Sequence, residues 1–183
     1  MLLALAAAAQ AVPINGTINM LGGSVFANGA GVTTTSLVDA RRVQTWINPR
    51  VLDGSGSYAG LAPGTAVAFT APWIFSPSTP TPALWSVGGF TFNLSSSTIV
   101  VQEAGFLGIR GSGTVTSTTA GLDPTPGTWF FTTQGAASDD SSFSWSSSTV
   151  SAGRVPDGGA TLALLGVSFL GLGGARRFLA SKK

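Results

Sequence analysis

Short stretches of alternating hydrophobic and polar residues fill the chain from about residue 13 to residue 150. Residues 90–94 and 142–146 show the alternation most clearly, as in strands with one buried face. The other candidate strands are residues 14–20, 32–38, 43–47, 65–70, 98–103, 106–110, 113–117 and 128–133. Clusters of Gly, Pro, Ser and Thr separate them at intervals of about 8–12 residues. The pattern predicts an all-β body at residues 12–150, an antiparallel β-sandwich of jelly-roll-like arrangement.

Residues 1–11 have the pattern of a cleavable export signal. Residues 2–9 are uncharged and apolar, and Ala9 and Ala11 place small side chains at the −3 and −1 positions of a signal peptidase site. The basic stretch that commonly precedes the apolar run is missing from this sequence. We expect residues 1–11 to be a signal peptide, with an Ala-rich helix of the folded protein as the alternative.

An uncharged, mostly apolar segment lies near the other end of the chain. Residues 158–175 carry no charge, and a helix of this length reaches about 27 Å, close to the hydrocarbon thickness of a bilayer. Its large apolar residues cover every side of a helix, and Arg176 and Arg177 follow directly. Basic residues favour the cytoplasmic end of a span. We therefore predict a single transmembrane helix within residues 160–183, with a buried core helix as the alternative.

A short linker, residues 151–159, precedes this segment and contains a motif. Its proline and glycines break helices and favour an extended, accessible peptide. The motif residues are Val155, Pro156, Asp157, Gly158 and Gly159. The order of motif, apolar helix and basic cluster resembles the C-terminal sorting signal of the PEP-CTERM class. It resembles the VPDSG-CTERM variant more closely, although that variant has Ser where this chain has Gly158.

The resemblance implies both a partner and a location. It implies processing by an exosortase-type enzyme in a Gram-negative envelope, often in bacteria that make exopolysaccharide. Residues 84–94 and 123–131 are also similar to segments of small exported proteins that carry this tail. We therefore expect the C-terminal helix to hold the exported chain in the membrane before processing. Afterwards the protein is expected at the cell surface or in the extracellular matrix.

Composition and charge narrow the chemistry of the body. Only 9% of residues are charged, and the chain contains no Cys and no His. Disulfides, zinc sites and catalysis by Cys or His are therefore excluded, and both lysines lie in the tail. Residues 12–153 hold four arginines and six acids, so the positive net charge comes from the tail and nucleic-acid binding is not expected. We predict that the chain is not an enzyme.

Two groups of residues are weaker candidates for ligand binding. Asp139 and Asp140, in a Ser-rich segment, offer the hard oxygen ligands that Ca²⁺ takes, and a solvated loop is the simpler interpretation. No other cofactor is expected. Trp73 and Trp85 flank a Pro-rich segment and are expected to be exposed, where an indole ring can pack against a sugar. Most of the remaining tryptophans are expected in the core.

The sequence favours an exported, envelope-anchored structural or adhesive protein of the cell surface or matrix. The alternative is a carbohydrate-binding module for exopolysaccharide, and a third hypothesis is a glycan-active enzyme. A binding module predicts two or three aromatic side chains in line on one exposed face. An enzyme predicts two carboxylates in one cleft, about 5–9 Å apart. A structural protein predicts neither, with Ser and Thr covering its surface.

Overall fold

The structure, a computed structural model, describes residues 12–134 and 141–149, with only the backbone described at Gln134 and at residues 141–146. Contacts divide the chain into Met1–Ser151 and Ala152–Lys183, and every described residue belongs to the first unit. The strands are β1 (Val12–Pro13), β2 (Gly16–Ala27), β3 (Thr33–Thr34), β4 (Arg42–Gly54), β5 (Ala68–Phe69), β6 (Trp73–Ile74), β7 (Thr81–Val87), β8 (Phe90–Glu103), β9 (Phe106–Ser117), β10 (Leu122–Asp123), β11 (Thr125–Gln134) and β12 (Ser141–Thr149). A single 3₁₀ turn, Gly56–Tyr58, follows β4 in the described part of the chain.

The long strands form one antiparallel sheet. Its strand order is β5-β7-β8-β9-β11-β12-β2-β4-β6, and β3 pairs with β2 beside this path. Strands β1 and β10 form a separate two-stranded parallel pair. The prediction of an all-β, antiparallel body is confirmed for the described residues. Among them, no helix has the length and apolar character needed to cross a bilayer, and the predicted helix at residues 160–183 lies outside the described part.

The sheet curls until its two ends are linked by hydrogen bonds. The backbone N–H of Val51 on β4 donates to Thr65 O at 2.9 Å, and that of Val67 donates to Pro49 O at 3.0 Å. The segment so bound runs directly into β5, which pairs with β7 at the opposite end of the strand order. The structure therefore has one curled sheet where the sequence pattern predicted two stacked sheets. Register shifts between β2 and β4 and between β8 and β9 bend these long strands, since an extra residue increases local twist.

The inner face of the curled sheet holds the core. Phe90, Phe92 and Leu94 are all buried, as their alternation predicted, and the Phe92 ring stacks on Trp85 with centroids 5.6 Å apart. Such offset ring pairs add about 0.5–1.5 kcal/mol beyond the area they bury.

A second aromatic cluster is centred on Trp73 of β6. Its ring lies 5.4 Å from Trp129, 5.5 Å from Phe75, 5.7 Å from Phe131 and 6.0 Å from Trp46, centroid to centroid. These residues come from β4, β6, β11 and the segment just after β6, so the cluster ties together strands from distant parts of the sheet. Because β6 is the last strand in the order, Trp73 holds this edge of the sheet against the core.

Tyr58, the only tyrosine in the chain, gives the fold a dependence on alkaline pH. Its side chain is buried, its hydroxyl lies 3.4 Å from Thr149 Oγ1, and burial raises the pKa of the phenol above the ordinary value of 10.0. A raised pKa in the folded state means that stability is complete below pH 10 and falls as the pH rises towards the folded pKa.

We expect the free energy of unfolding of the unmodified protein to fall between about pH 8 and about pH 11, because the unfolded chain ionises Tyr58 more easily. In the variant Tyr58→Phe, the free energy of unfolding should fall less over the same pH range, because the phenol is absent. At about pH 8 the free energies of unfolding of the two proteins should differ by only about 1 kcal/mol. Urea unfolding at both pH values measures the difference. Equal alkaline losses in the two proteins would show that the phenol is not the cause.

Candidate functional site

The outer face of the curled sheet carries a row of hydroxyl side chains. Each member is the direct cross-strand partner of the next, from β8 through β9, β11 and β12 to β2. This hydroxyl row consists of Ser96, Ser112, Thr128, Ser148 and Thr17. Neighbouring strands lie about 4.7–4.9 Å apart, so the row repeats at that spacing at right angles to the strands.

The hydroxyl row makes side-chain hydrogen bonds at both of its ends. Ser96 Oγ lies 3.3 Å from Ser112 Oγ, and Thr17 Oγ1 lies 2.8 Å from Ser55 Oγ in the turn after β4. A hydroxyl can donate one hydrogen bond and accept two, so these contacts leave capacity for further partners. The row therefore presents several hydrogen-bonding groups along one line.

A second row runs beside the hydroxyl row, two residues further along each strand. Its positions in strand order are Thr98, Arg110, Phe130, Ser146, Asn19 and Asp53, of which Ser146 is placed by its backbone pairing alone. Arg110 and Phe130 are direct partners on β9 and β11, and both side chains are exposed, Phe130 by 41%. At the far end, Asn19 Nδ2 donates to Asp53 Oδ1 at 2.6 Å. The row thus brings a cation and an aromatic ring side by side.

An open groove of about 580 Å³ lies along these two rows. Its lining residues are Ser96, Thr98, Arg110, Gly111, Ser112, Thr128, Trp129, Phe130 and Ser148. A smaller recess of about 330 Å³ shares Ser112, Thr128 and Ser148 with the groove and adds Ser95, Gly113, Pro126 and Gly127. The groove and the recess therefore adjoin each other on strands β8, β9, β11 and β12. The volume of the groove lies within the range of small-molecule sites.

The contacts of Arg110 differ from those of the other described arginines. Arg41 donates to Val38 O and Ala40 O, Arg42 to Gly29 O, and Arg50 to Gly64 O. Arg110 makes no hydrogen bond or ion pair to the backbone of residues 12–134 and 141–149 or to the described side chains of these residues. No carboxylate stands among the described residues that line the groove. In the described part of the chain nothing engages the guanidinium of Arg110, and the charge of the groove lining favours a negative ligand.

The prediction that Trp73 and Trp85 are exposed is wrong. Both side chains are 0% exposed. The Pro-rich segment connects β6 to β7, and each of these strands turns its indole ring inward, Trp73 onto the aromatic cluster and Trp85 onto Phe92. Neither ring is at the surface that a ligand would meet. The exposed aromatic residue near a groove is instead Phe130, which the sequence analysis did not single out.

The remaining predicted site residues lie outside the described part of the chain. They are the calcium candidates Asp139 and Asp140, the cleavage residues Ala9 and Ala11, the motif residues Val155, Pro156, Asp157, Gly158 and Gly159, and the basic residues Arg176 and Arg177. Within the described residues, no group of three or more acidic residues forms a place for a metal ion.

The comparisons with known proteins concern the end of the chain. Residues 154–178 match the family model described as VPDSG-CTERM motif, which confirms the resemblance seen in the sequence. No curated protein and no solved structure matched the chain. The match covers the motif, the apolar segment and Arg176 and Arg177, and it does not extend into the β body.

Proposed function

We propose that this chain is an exported surface protein whose β body is a structural or adhesive component without catalytic activity. The VPDSG-CTERM motif at residues 154–178 suggests export, membrane anchoring before processing, and C-terminal processing by an exosortase-type enzyme. The observation that supports the adhesive role is the outer face itself, where the hydroxyl row crosses five strands. Such a surface exchanges hydrogen bonds with water and with hydroxylated polymers equally well.

The same face favours adhesion over a glycan-active enzyme and over a binding module that holds sugars on an aromatic platform. A glycan-active enzyme needs two carboxylates in one cleft, and the described groove is lined by hydroxyls and Arg110. A binding module with an aromatic platform needs several rings in line, whereas Phe130 is the one large aromatic side chain that is exposed among the described residues. A chain without His lacks the commonest general base that activates a serine nucleophile, and a chain without Cys lacks a thiolate nucleophile.

The sorting step is tested in a host that has an exosortase-type enzyme. The chain carries one epitope in the exposed turn at Gly29 and a second epitope after Lys183. We expect the unmodified chain to lose the C-terminal epitope and to display the Gly29 epitope on the cell surface. Replacing Val155, Pro156 and Asp157 by Ala should leave both epitopes on a membrane-bound chain. Immunoblots of membrane and surface fractions distinguish the two results.

The matched control is Ser151→Ala, which lies just before the matched residues and should be processed normally. Retention of the C-terminal epitope by the unmodified chain, or its normal loss from the motif variant, would contradict the sorting proposal.

Adhesion is measured in the same strains as retention of extracellular polysaccharide by washed cells. Cells that display the processed chain should retain more polysaccharide than cells with the motif variant. Equal polysaccharide retention by the two strains, with the processed chain displayed normally, would contradict the adhesive role.

A further inference from the structure

We infer that the groove beside Arg110 and Phe130 binds an acidic polysaccharide, through a sugar ring that carries a carboxylate. This inference rests on the proposed adhesive function and names the class of polymer that the outer face would hold. Its basis is the combination of one cation without a partner among the described residues, one exposed aromatic ring and a line of hydroxyls along a single open groove. Each of these elements matches a different part of such a sugar.

The charge of the ligand follows from Arg110. A guanidinium presents paired N–H donors in a plane that matches the two oxygens of a carboxylate. Backbone carbonyls accept hydrogen bonds from the guanidinium groups of the three other described arginines. The guanidinium of Arg110 has no such partner within the described residues. A carboxylate bound in this position meets no like charge from the described lining of the groove.

The sugar character of the ligand follows from Phe130 and the hydroxyl row. The ring of Phe130 lies next to Arg110 across the strands, so a pyranose held by its carboxylate at Arg110 can place an apolar face on the ring. Ser112 and Thr128 occupy the same two strands two residues away, within reach of the hydroxyls of that sugar. Arg110 therefore recognises the charge of the sugar, Phe130 recognises the apolar face of its ring, and the hydroxyl row recognises its hydroxyls.

The polymeric character follows from the shape of the groove. It opens widely to solvent and continues into the recess beside Ser95 and Pro126, so a chain can pass through without ending there. A nucleic acid is a poorer match, because one arginine cannot neutralise successive phosphates along a backbone. The hydroxyl row, by contrast, offers a partner at every strand crossed.

The test compares two ligands that differ only at the carboxyl group: a short oligogalacturonate and its methyl ester, in which each carboxylate is neutralised by a methyl group. Binding to the full-length protein, purified in a non-ionic detergent, is measured by calorimetry. We expect the protein to bind the free acid about tenfold more tightly than the ester, since the ester loses the charge-assisted hydrogen bonds to Arg110. Arg110→Gln should weaken binding of the acid about tenfold and leave the ester unaffected. Phe130→Ser should weaken both ligands about fivefold.

The charge-matched control is Arg50→Gln, on β4 outside the groove, which should bind both ligands like the unmodified protein. Equal binding of acid and ester, equal losses in Arg110→Gln and Arg50→Gln, or no binding of either ligand would overturn the inference. Binding of a single-stranded DNA oligonucleotide as tight as that of the acid would also overturn it, because charge alone would then suffice. None of these results bears on sorting or surface display, which the epitope experiment measures independently.

Discussion

Phe92→Asp is expected to prevent the β body from folding. The Phe92 side chain, near the start of β8, is 0% exposed and stacks on Trp85 at an interplanar angle of 11°. Removing a buried aromatic ring costs about 3–5 kcal/mol, and a buried carboxylate without a partner adds a further penalty of several kcal/mol. The sum approaches the whole stability of an ordinary domain, about 5–15 kcal/mol. Circular dichroism should show the loss of the cooperative thermal transition.

Val100→Asp is the matched control, because it introduces the same charge on the same strand. Val100 is 49% exposed, so its replacement removes little buried area and leaves the carboxylate in water. We expect its melting temperature to lie close to that of the unmodified protein. An unchanged melting temperature for Phe92→Asp, or equal losses in the two variants, would show that the buried face of β8 has been assigned incorrectly.

The burial of Phe92 illustrates what the sequence alone could establish. The period-two pattern at residues 90–94 specifies which side chains share a face, and one face of an antiparallel sheet is normally buried. The same local rule predicted strands at residues 98–103, 106–110 and 113–117. The structure joins these into the longer strands β8 and β9, because Ser and Gly between the candidate segments continue the extended backbone where the pattern indicated breaks.

The groove illustrates what the sequence could not establish. Arg110 and Phe130 are far apart along the chain, and Ser148 and Thr17 are farther apart still, so only the strand order and register place them side by side. A shift of one residue in one pairing would send an entire row to the other face. The curl has the same origin, since Thr65 and Val51 meet through long-range pairing. Arg110 does stand out in the sequence as an isolated cation, but its aromatic neighbour does not.

The error about Trp73 and Trp85 has a similar cause. Proline content indicates where a connection lies, but the direction of the flanking side chains depends on which face of the sheet is covered. Both β6 and β7 contribute to the inner face of a sheet that curls around its core, so their large rings point inward. Large aromatic residues contribute most when fully buried, and this sheet has an inner face long enough to bury both.

Gly111 and Gly113 on β9 are positions where the fold depends on the absence of a side chain. A Cβ at Gly111 would lie 2.7 Å from Trp129 Cζ2 and would collide with the backbone carbonyl oxygen of Ser96. A Cβ at Gly113 would lie 2.8 Å from Phe92 Cε2 and would collide with the carbonyl oxygen of Asn93. The two glycines thus allow β8 to approach β9 closely while the rings of Trp129 and Phe92 pack against the strand.

Gly111→Ala is therefore expected to destabilise the body by about 3 kcal/mol, the upper end of the usual cost of overpacking. A flexible side chain could move aside, but the carbonyl of Ser96 belongs to a paired strand and the Trp129 ring is held in the aromatic cluster. The control is Gly105→Ala in the turn of the same hairpin, where a Cβ would meet nothing within 4 Å. Urea unfolding should separate the two midpoints clearly. Coincident midpoints would mean that β8 and β9 do not approach as closely as their register requires.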